Sequence, residues 1–143
     1  MNTQAILCVD DEAILLMALR QELRSALRDS FIYEVALSAE DALETIERLG
    51  REGITLALII TDWLMPGMDG EQLLEIVHER YPATKSILIT GHADDNALRR
   101  IIADKRNLGV LRKPWSSRQL CSLISEAFPV SEIPPGETAR NFP

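Results

Sequence analysis

Apolar residues follow two alternating spacings along the chain. Short apolar runs such as AILCV at residues 5–9 predict strands, and longer segments with apolar residues three and four apart predict helices. Leu16, Leu19, Leu23 and Leu27 show the helical spacing. The five predicted strands lie at residues 5–9, 31–37, 56–62, 86–90 and 108–111. A segment of helical spacing follows each of them.

This alternation predicts an α/β fold of (βα)5 type, with a five-stranded parallel sheet, right-handed crossovers and helices on both faces. The run LALIITD at 56–62 is apolar nearly throughout, which predicts a central strand that is covered on both sides. In the second helix, Ser38 is the predicted N-cap, Asp41 is the acidic residue three positions on, and Gly50 is the predicted stop.

The composition predicts one domain followed by a tail. The chain has 143 residues, which fits a single hydrophobic core, and residues 1–128 carry the whole alternation. Residues 129–143, PVSEIPPGETARNFP, are rich in proline and polar residues and are predicted to be a tail or linker. Cys8 and Cys121 lack metal-ligand spacing and are predicted to be small buried hydrophobes.

Charge and hydropathy exclude several kinds of partner. A net charge of −7 argues against direct nucleic-acid binding, since phosphate backbones are held by clustered Lys and Arg. No apolar run approaches the ~20 residues that span a bilayer, and no membrane association is expected. The N-terminus lacks the basic and apolar regions of a signal peptide. We therefore predict a cytoplasmic protein.

Polar residues end four of the predicted strands or follow them within a few positions. They are Asp10, Asp11, Glu12, Asp62, Thr90 and Lys113. Each has an ordinary explanation by itself, as a helix-capping acid, a strand-end threonine or a surface lysine. Ligands of such sheets, however, bind at the carboxyl ends of the strands. Because four chain-distant positions converge on one edge, we predict a functional site there.

The residue types at this edge limit its chemistry. Carboxylates within ~4 Å of one another repel by several kcal/mol at an effective dielectric of ~20, so they need a cation or raised pKa values. Carboxylate oxygens suit Mg²⁺, or else Mn²⁺. A hydroxyl and an ammonium group suit an anion with several oxygens. Together they indicate phosphoryl transfer to a carboxylate nucleophile, with Asp62 placed where a donor can reach it.

Four motifs carry a family resemblance. CVDDE (8–12), TDWLMPGMDG (61–70), SILITGHAD (86–94) and LRKPW (111–115), in this order and spacing, resemble the receiver domain of bacterial two-component response regulators. The resemblance covers residues 4–128. It implies a flavodoxin-like fold with strand order 2-1-3-4-5, and phosphorylation of an aspartate by a histidine kinase or a phosphotransfer protein.

Carried over by position, the resemblance assigns a phosphoacceptor and a metal site. Asp62 corresponds to the phosphoacceptor and also to a metal ligand. Asp11 corresponds to a direct Mg²⁺ ligand, and Asp10 to a residue that acts through a metal-bound water. The backbone carbonyl of Leu64 corresponds to the remaining protein ligand.

The resemblance also assigns the residues that meet the phosphoryl group. Thr90 corresponds to the hydroxyl that reaches its oxygens, and Lys113 to the ammonium that pairs with them. Pro114 matches a proline that follows a cis bond in the family. The chain departs from the family at Val110, where an aromatic residue is common. His92 occupies a place that tunes the lifetime of the phosphoryl group.

Partners and alternative functions remain open at this point. Receivers also pair through the face of helix four, strand five and helix five, so a homodimer is possible, and the output protein or domain is unknown. We expect a signalling receiver that assists its own phosphorylation and dephosphorylation, and no other enzyme activity. One alternative is a haloacid-dehalogenase-like phosphatase with Asp10 as nucleophile, which needs a second aspartate where Glu12 stands. The other is a receiver-like binding module that works without phosphorylation.

Overall fold

Five parallel strands form one sheet. They are β1 (Gln4–Val9), β2 (Ile32–Ala36), β3 (Thr55–Asp62), β4 (Lys85–Thr90) and β5 (Asn107–Arg112). The computed structural model describes residues 3–91 and 95–128. The strand order is β2-β1-β3-β4-β5. This order confirms the predicted flavodoxin-like fold.

Five helices cover the two faces of the sheet. They are α1 (Ala13–Leu27), α2 (Ala39–Arg51), α3 (Gly70–Arg80), α4 (Asp95–Ile102) and α5 (Ser117–Ala127). Apolar side chains of α1 and α5 pack on one face, and those of α2, α3 and α4 pack on the other. A short 3-10 helix at Arg28–Ser30 follows α1.

The central strands are buried on both faces, as the apolar runs predict. In β3, Leu58 and Ile60 join the core under α1 and α5, while Ile59 joins the core on the opposite side. In β1, Cys8 is fully buried, and burial raises the pKa of its thiol to about 12. The prediction of a small buried hydrophobe is therefore confirmed for Cys8. Cys121 is only partly buried between α1 and α5.

The ends of α2 confirm one prediction and correct another. Ser38 Oγ accepts a hydrogen bond from the Asp41 backbone N–H at 3.0 Å, so Ser38 is the N-cap. Gly50 is not the stop, because the helix continues to Arg51. The left-handed conformation that glycine favours occurs three residues later, at Gly53, with φ +77°.

The fold does not test two predictions, the domain boundary at residue 128 and the cytoplasmic location. Residues 129–143 lie outside the described residues, so the domain boundary at 128 stays a prediction. Within residues 3–91 and 95–128, no helix is long and apolar enough to cross a membrane. The cytoplasmic location stays a prediction.

An acidic site at the carboxyl edge of the sheet

The structure brings the predicted strand-end residues together. Asp10 follows β1, Asp62 ends β3 and Lys113 follows β5. The ammonium of Lys113 lies between two carboxylates, 3.1 Å from Asp10 Oδ2 and 3.2 Å from Asp62 Oδ2. The Lys113 backbone N–H donates to the Thr90 carbonyl at 2.9 Å, which ties the end of β5 to the end of β4.

Three carboxylates form a group that can hold a cation. Asp10, Asp11 and Asp62 each offer one oxygen, and these oxygens lie within 4.8 Å of one another. Asp10 and Asp62 are buried, whereas Asp11 is exposed. A cluster of carboxylates with one side open to water fits Mg²⁺, which retains several of its waters. The role of the Leu64 carbonyl as a further ligand stays a prediction.

Backbone hydrogen bonds fix the turn that carries Asp10. The Glu12 N–H donates to Asp10 Oδ1 at 2.9 Å, and the Asp10 N–H donates to the Ala36 carbonyl at 3.2 Å. Glu12 is the N-cap residue of α1, but its side chain makes no capping hydrogen bond. Simple helix capping therefore does not account for the acidic side chain of Glu12.

The loop after Asp62 depends on the glycine at the start of α3. The Trp63 N–H donates to the Ile89 carbonyl at 2.9 Å, and the Gly70 N–H donates to the Trp63 carbonyl at 2.7 Å. A Cβ atom on Gly70 would overlap the carbonyl oxygen of Asp62. Asp69 caps α3 in a reciprocal pair with Gln72. Gly70 thus permits the close approach that closes this loop, a role that the sequence analysis did not assign.

The acidic groups of the site carry more negative charge than the Lys113 ammonium neutralises. Burial raises the pKa of Asp62, and the charge of Asp10 raises it further, while Lys113 opposes both effects. Burial alone would lower the pKa of Lys113, but its hydrogen bond to Asp10 and the charge of Asp62 outweigh burial and raise it. Lys113 therefore stays charged, and one ammonium faces several acidic groups. Such a site favours binding of a divalent cation.

Four further residues were singled out by the sequence, and the structure describes three of them. Thr90 is buried at the end of β4 and is the strand partner of Arg112. The Lys113–Pro114 bond is cis, in agreement with the resemblance. Val110 is partly buried and packs with the core that α2, α3 and α4 cover. His92 lies outside the described residues.

Glu22 contacts two residues that lie close after Lys113 in the sequence, and the sequence analysis did not identify it. Its carboxylate accepts hydrogen bonds from the Trp115 indole N–H at 2.6 Å and from the Ser117 hydroxyl at 2.7 Å. Glu22 lies in the middle of α1, and no motif connects it with residues more than 90 positions away. Only the packing of α5 beside α1 brings these groups together.

Comparisons with known proteins identify the family of the chain. A family model described as the response regulator receiver domain matches residues 6–125. The chain is 36% identical over 125 residues to the sensor kinase CckA of Brucella abortus (strain 2308), covering 87% of this chain and 12% of that protein. It is 35% identical over 134 residues to the response regulator protein FleR of Pseudomonas aeruginosa, covering 87% of this chain and 24% of that protein.

Solved receiver domains have the same fold. The signal receiver domain of an HD domain-containing protein from Pseudomonas fluorescens Pf-5 superposes with a TM-score of 0.74 at 30% identity, covering 89% of this chain and 94% of that one. A CheY-like receiver domain from Methanospirillum hungatei JF-1 gives a TM-score of 0.72 at 28% identity, covering 88% and 93%. The chain thus spans under a quarter of the two curated relatives but nearly all of these domains. From its fold, its acidic edge and these matches, the chain belongs to the response regulator receiver domain family.

Proposed function

We propose that Asp62 accepts a phosphoryl group from a histidine kinase or a phosphotransfer protein. The chain is a receiver of two-component signalling, and the assignment of its phosphoacceptor rests mainly on one contact. The Lys113 ammonium bridges Asp62 and Asp10, so this cation faces the carboxylate that would be phosphorylated. Asp62 also ends the central strand, at the edge where ligands of such sheets bind.

The proposed transfer is a displacement at phosphorus. A carboxylate oxygen of Asp62 attacks the phosphorus atom of a phosphohistidine, a P–O bond forms, and the P–N bond breaks with its electron pair left on the imidazole. Lys113 stays within reach of the new phosphoryl oxygens, and Thr90 contributes its hydroxyl at the end of the neighbouring strand. By providing these groups, the receiver assists its own phosphorylation and dephosphorylation.

Asp10, Asp11 and Asp62 would hold Mg²⁺ or Mn²⁺, together with the Leu64 carbonyl. When bound, the ion would neutralise negative charge on the carboxylates and on the incoming phosphoryl group. The three carboxylates fit this role because their oxygens already lie within 4.8 Å of one another, a spacing that is costly without a cation.

Exposed apolar side chains next to the site support docking of a phosphodonor protein. Ile14 and Met17, in the first two turns of α1, are 82% and 63% exposed, and Leu64 in the loop after β3 is 51% exposed. A homodimer through α4, β5 and α5 is a second proposed contact. The net charge of −7 argues against direct nucleic-acid binding, so we expect the output partner to be a protein or a protein domain.

Neither alternative function is favoured. A haloacid-dehalogenase-like phosphatase needs a second aspartate at the position where Glu12 stands, and further acidic residues beyond the lysine, where this chain has PWSSRQ at 114–119. A module that works without phosphorylation would not need Asp62, Thr90 and Lys113 together at one edge.

The test is direct phosphorylation by a small acyl phosphate. The protein is incubated with acetyl phosphate and Mg²⁺, and intact mass is expected to rise by roughly 80 Da, the mass of one phosphoryl group on a carboxylate. Peptide mapping should place the adduct on Asp62. In parallel, tryptophan emission is titrated with Mg²⁺, and Asp11→Ala should remove the response. An adduct on another residue, or an unchanged titration in the Asp11 variant, would contradict the assignment.

A further inference from the structure

The carboxylate of Glu22 joins α1 to the loop that follows Lys113. Oε2 accepts from the Trp115 indole N–H at 2.6 Å, and Oε1 accepts from the Ser117 hydroxyl at 2.7 Å. Both oxygens are thus engaged, each by a different donor. Hydrogen bonds to an ionised acceptor are shorter and stronger than neutral ones. Glu22 therefore holds Trp115 of the short loop, and Ser117 at the start of α5, against α1.

The same loop determines where Lys113 lies. Only Pro114 separates Lys113 from Trp115. On the side of β5, the Lys113 N–H is bonded to the Thr90 carbonyl. On the side of α5, Ser116 caps the helix through a reciprocal pair with Gln119. The Ser116–Gln119 pair joins residues at the start of α5 to each other. The hydrogen bonds to Glu22, by contrast, join this end of the loop to α1.

We propose that Glu22 is a positioning residue for Lys113, which keeps the ammonium between Asp10 and Asp62. The ammonium must lie within hydrogen-bond distance of two carboxylates at once, so a shift of the backbone at Lys113 lengthens at least one of the two contacts unless the side chain changes rotamer. Misplacement of a reacting group by about 1 Å can cost two orders of magnitude in rate. The functional part of this inference rests on the proposed phosphoacceptor role of Asp62.

Packing of Trp115 is the competing explanation for the position of the loop. Its ring is partly buried against the core that α1 and α5 cover. Trp115→Phe keeps most of this apolar contact but removes the indole N–H donor. If Glu22 positions the loop through that bond, Trp115→Phe should slow phosphorylation in the same direction as Glu22→Ala. Full activity of the phenylalanine variant and of Glu22→Ala would overturn the proposal.

Phosphorylation kinetics with acetyl phosphate and Mg²⁺ provide the first test. Glu22→Ala should slow adduct formation about tenfold, an effect of the size expected for a slightly misplaced charged group. Glu22→Gln should restore most of the rate, because its amide oxygen accepts from Trp115 and its amide N–H donates to the Ser117 hydroxyl. Gln21→Ala, in the same cleft between the two helices, is the matched control and should keep the full rate.

A double-mutant comparison separates positioning from general destabilisation. In a Lys113→Ala background, Glu22→Ala should cause no further slowing, because the group through which it acts is already missing. Equal slowing in both backgrounds would overturn the proposal, since it would show that Glu22 acts without Lys113.

A spectroscopic test needs neither metal nor phosphodonor. In protein with labelled lysine, Glu22→Ala should shift the ε-methylene signal of Lys113 along with the indole N–H signal of Trp115, and Gln21→Ala should shift neither. A shifted indole signal with an unmoved Lys113 signal would overturn the proposal. If Lys113 responds but the wild-type protein forms no adduct, the positioning contact stands and the proposed function fails.

Discussion

Two charged clusters lie at opposite ends of the sheet, and their charges are balanced differently. At the carboxyl edge, Asp10, Asp11 and Asp62 lie close together, and the Lys113 ammonium contacts Asp10 and Asp62. At the amino edge, Asp104 accepts from the Arg106 guanidinium at 2.9 and 2.8 Å and lies 3.2 Å from His78 Nδ1. We call the first set the carboxyl-edge cluster. The second, which consists of His78, Asp104 and Arg106, is the amino-edge cluster.

The amino-edge cluster joins α3 and β4 to the segment between α4 and β5. His78 belongs to α3, and its Nε2 lies 3.0 Å from the Ser86 hydroxyl in β4. Arg106, just before β5, also donates to the His78 carbonyl at 2.5 Å. The hydrogen bonds from Arg106 hold the pKa of Asp104 far below its ordinary value, against the effect of burial.

The two clusters therefore act on stability in opposite directions. A carboxylate whose pKa is lowered by partners stabilises the fold when it is ionised, whereas Asp62, whose pKa is raised by burial and by Asp10, opposes folding when it is ionised. The amino-edge cluster stabilises the fold. In the carboxyl-edge cluster, the ionised carboxylate of Asp62 opposes folding, and a bound cation would reduce this electrostatic cost.

The largest expected effect is complete loss of phosphorylation in Asp62→Asn. The amide cannot accept the phosphoryl group, so mass spectrometry should show no adduct. The free energy of unfolding at pH 7 should stay unchanged or rise, because one charge leaves a repelling cluster. Asp41→Asn, an exposed change on α2, is the control that should keep the adduct. A remaining adduct, or a marked loss of stability, would place the acceptor elsewhere or show that Asp62 is a structural residue.

Gly70→Ala should produce the largest loss of stability. The added methyl group would overlap the Asp62 carbonyl oxygen and approach the Cα of Trp63, which are backbone atoms that cannot rotate away. We expect a cost of about 2–3 kcal/mol in urea unfolding, typical of overpacking, together with slower phosphorylation. Gly50→Ala is the matched control, because nothing lies within 4 Å and the site is helical. That change should stabilise the protein by about 0.5–1 kcal/mol.

Asp104→Asn should weaken the amino-edge cluster by about 2 kcal/mol at pH 7, since the amide carries no charge and offers the Arg106 guanidinium one acceptor oxygen where the carboxylate offers two. The sign of its pH dependence distinguishes the clusters. The folded pKa of Asp104 is lowered, so its contribution is present above the unfolded pKa of about 4 and is lost as the pH falls below it. Urea unfolding at pH 7 and pH 3.5 should show the difference between wild type and variant shrinking. A constant difference would contradict this account.

The smallest expected effect is a shallow loss of stability between pH 7 and pH 5.5 that is caused by His78. Burial lowers the pKa of this imidazole despite the neighbouring Asp104. The folded pKa is therefore below the unfolded value of about 6.5, so stability is present above that pH and declines as the pH falls. His78→Gln should flatten this part of the profile. An NMR titration that showed His78 protonated already at pH 7 would contradict it.

The number and type of the elements were predictable from the apolar spacing, but the order of the strands was not. Alternating apolar spacing gives the number and type of the elements, because each spacing belongs to one kind of backbone. It carries no information on which strands pair, and the order came from the family resemblance. Gly50 shows a related limit. Glycine marked the region of the helix end, but the residue that adopts the left-handed conformation is Gly53.

The carboxyl-edge residues were predictable because each one interrupts an apolar run. His78 gave no comparable signal, since it occupies the buried phase of α3 beside Leu74 and Val77 and looks like one more core position. Asp104 and Arg106 look like ordinary charges of a loop. Their interaction with His78, like that of Glu22 with Trp115, depends on packing between distant segments, which local sequence does not encode.

The outer position of β5 in the sheet limits how this protein can associate. An edge strand exposes backbone groups that can template the addition of another chain, a common route to aggregation. The pairing of β5 with β4 is irregular near Gly109, where the register shifts, and such irregularities disturb the straight geometry that sheet extension requires. A contact through this face would then depend on side chains instead of continuous backbone pairing.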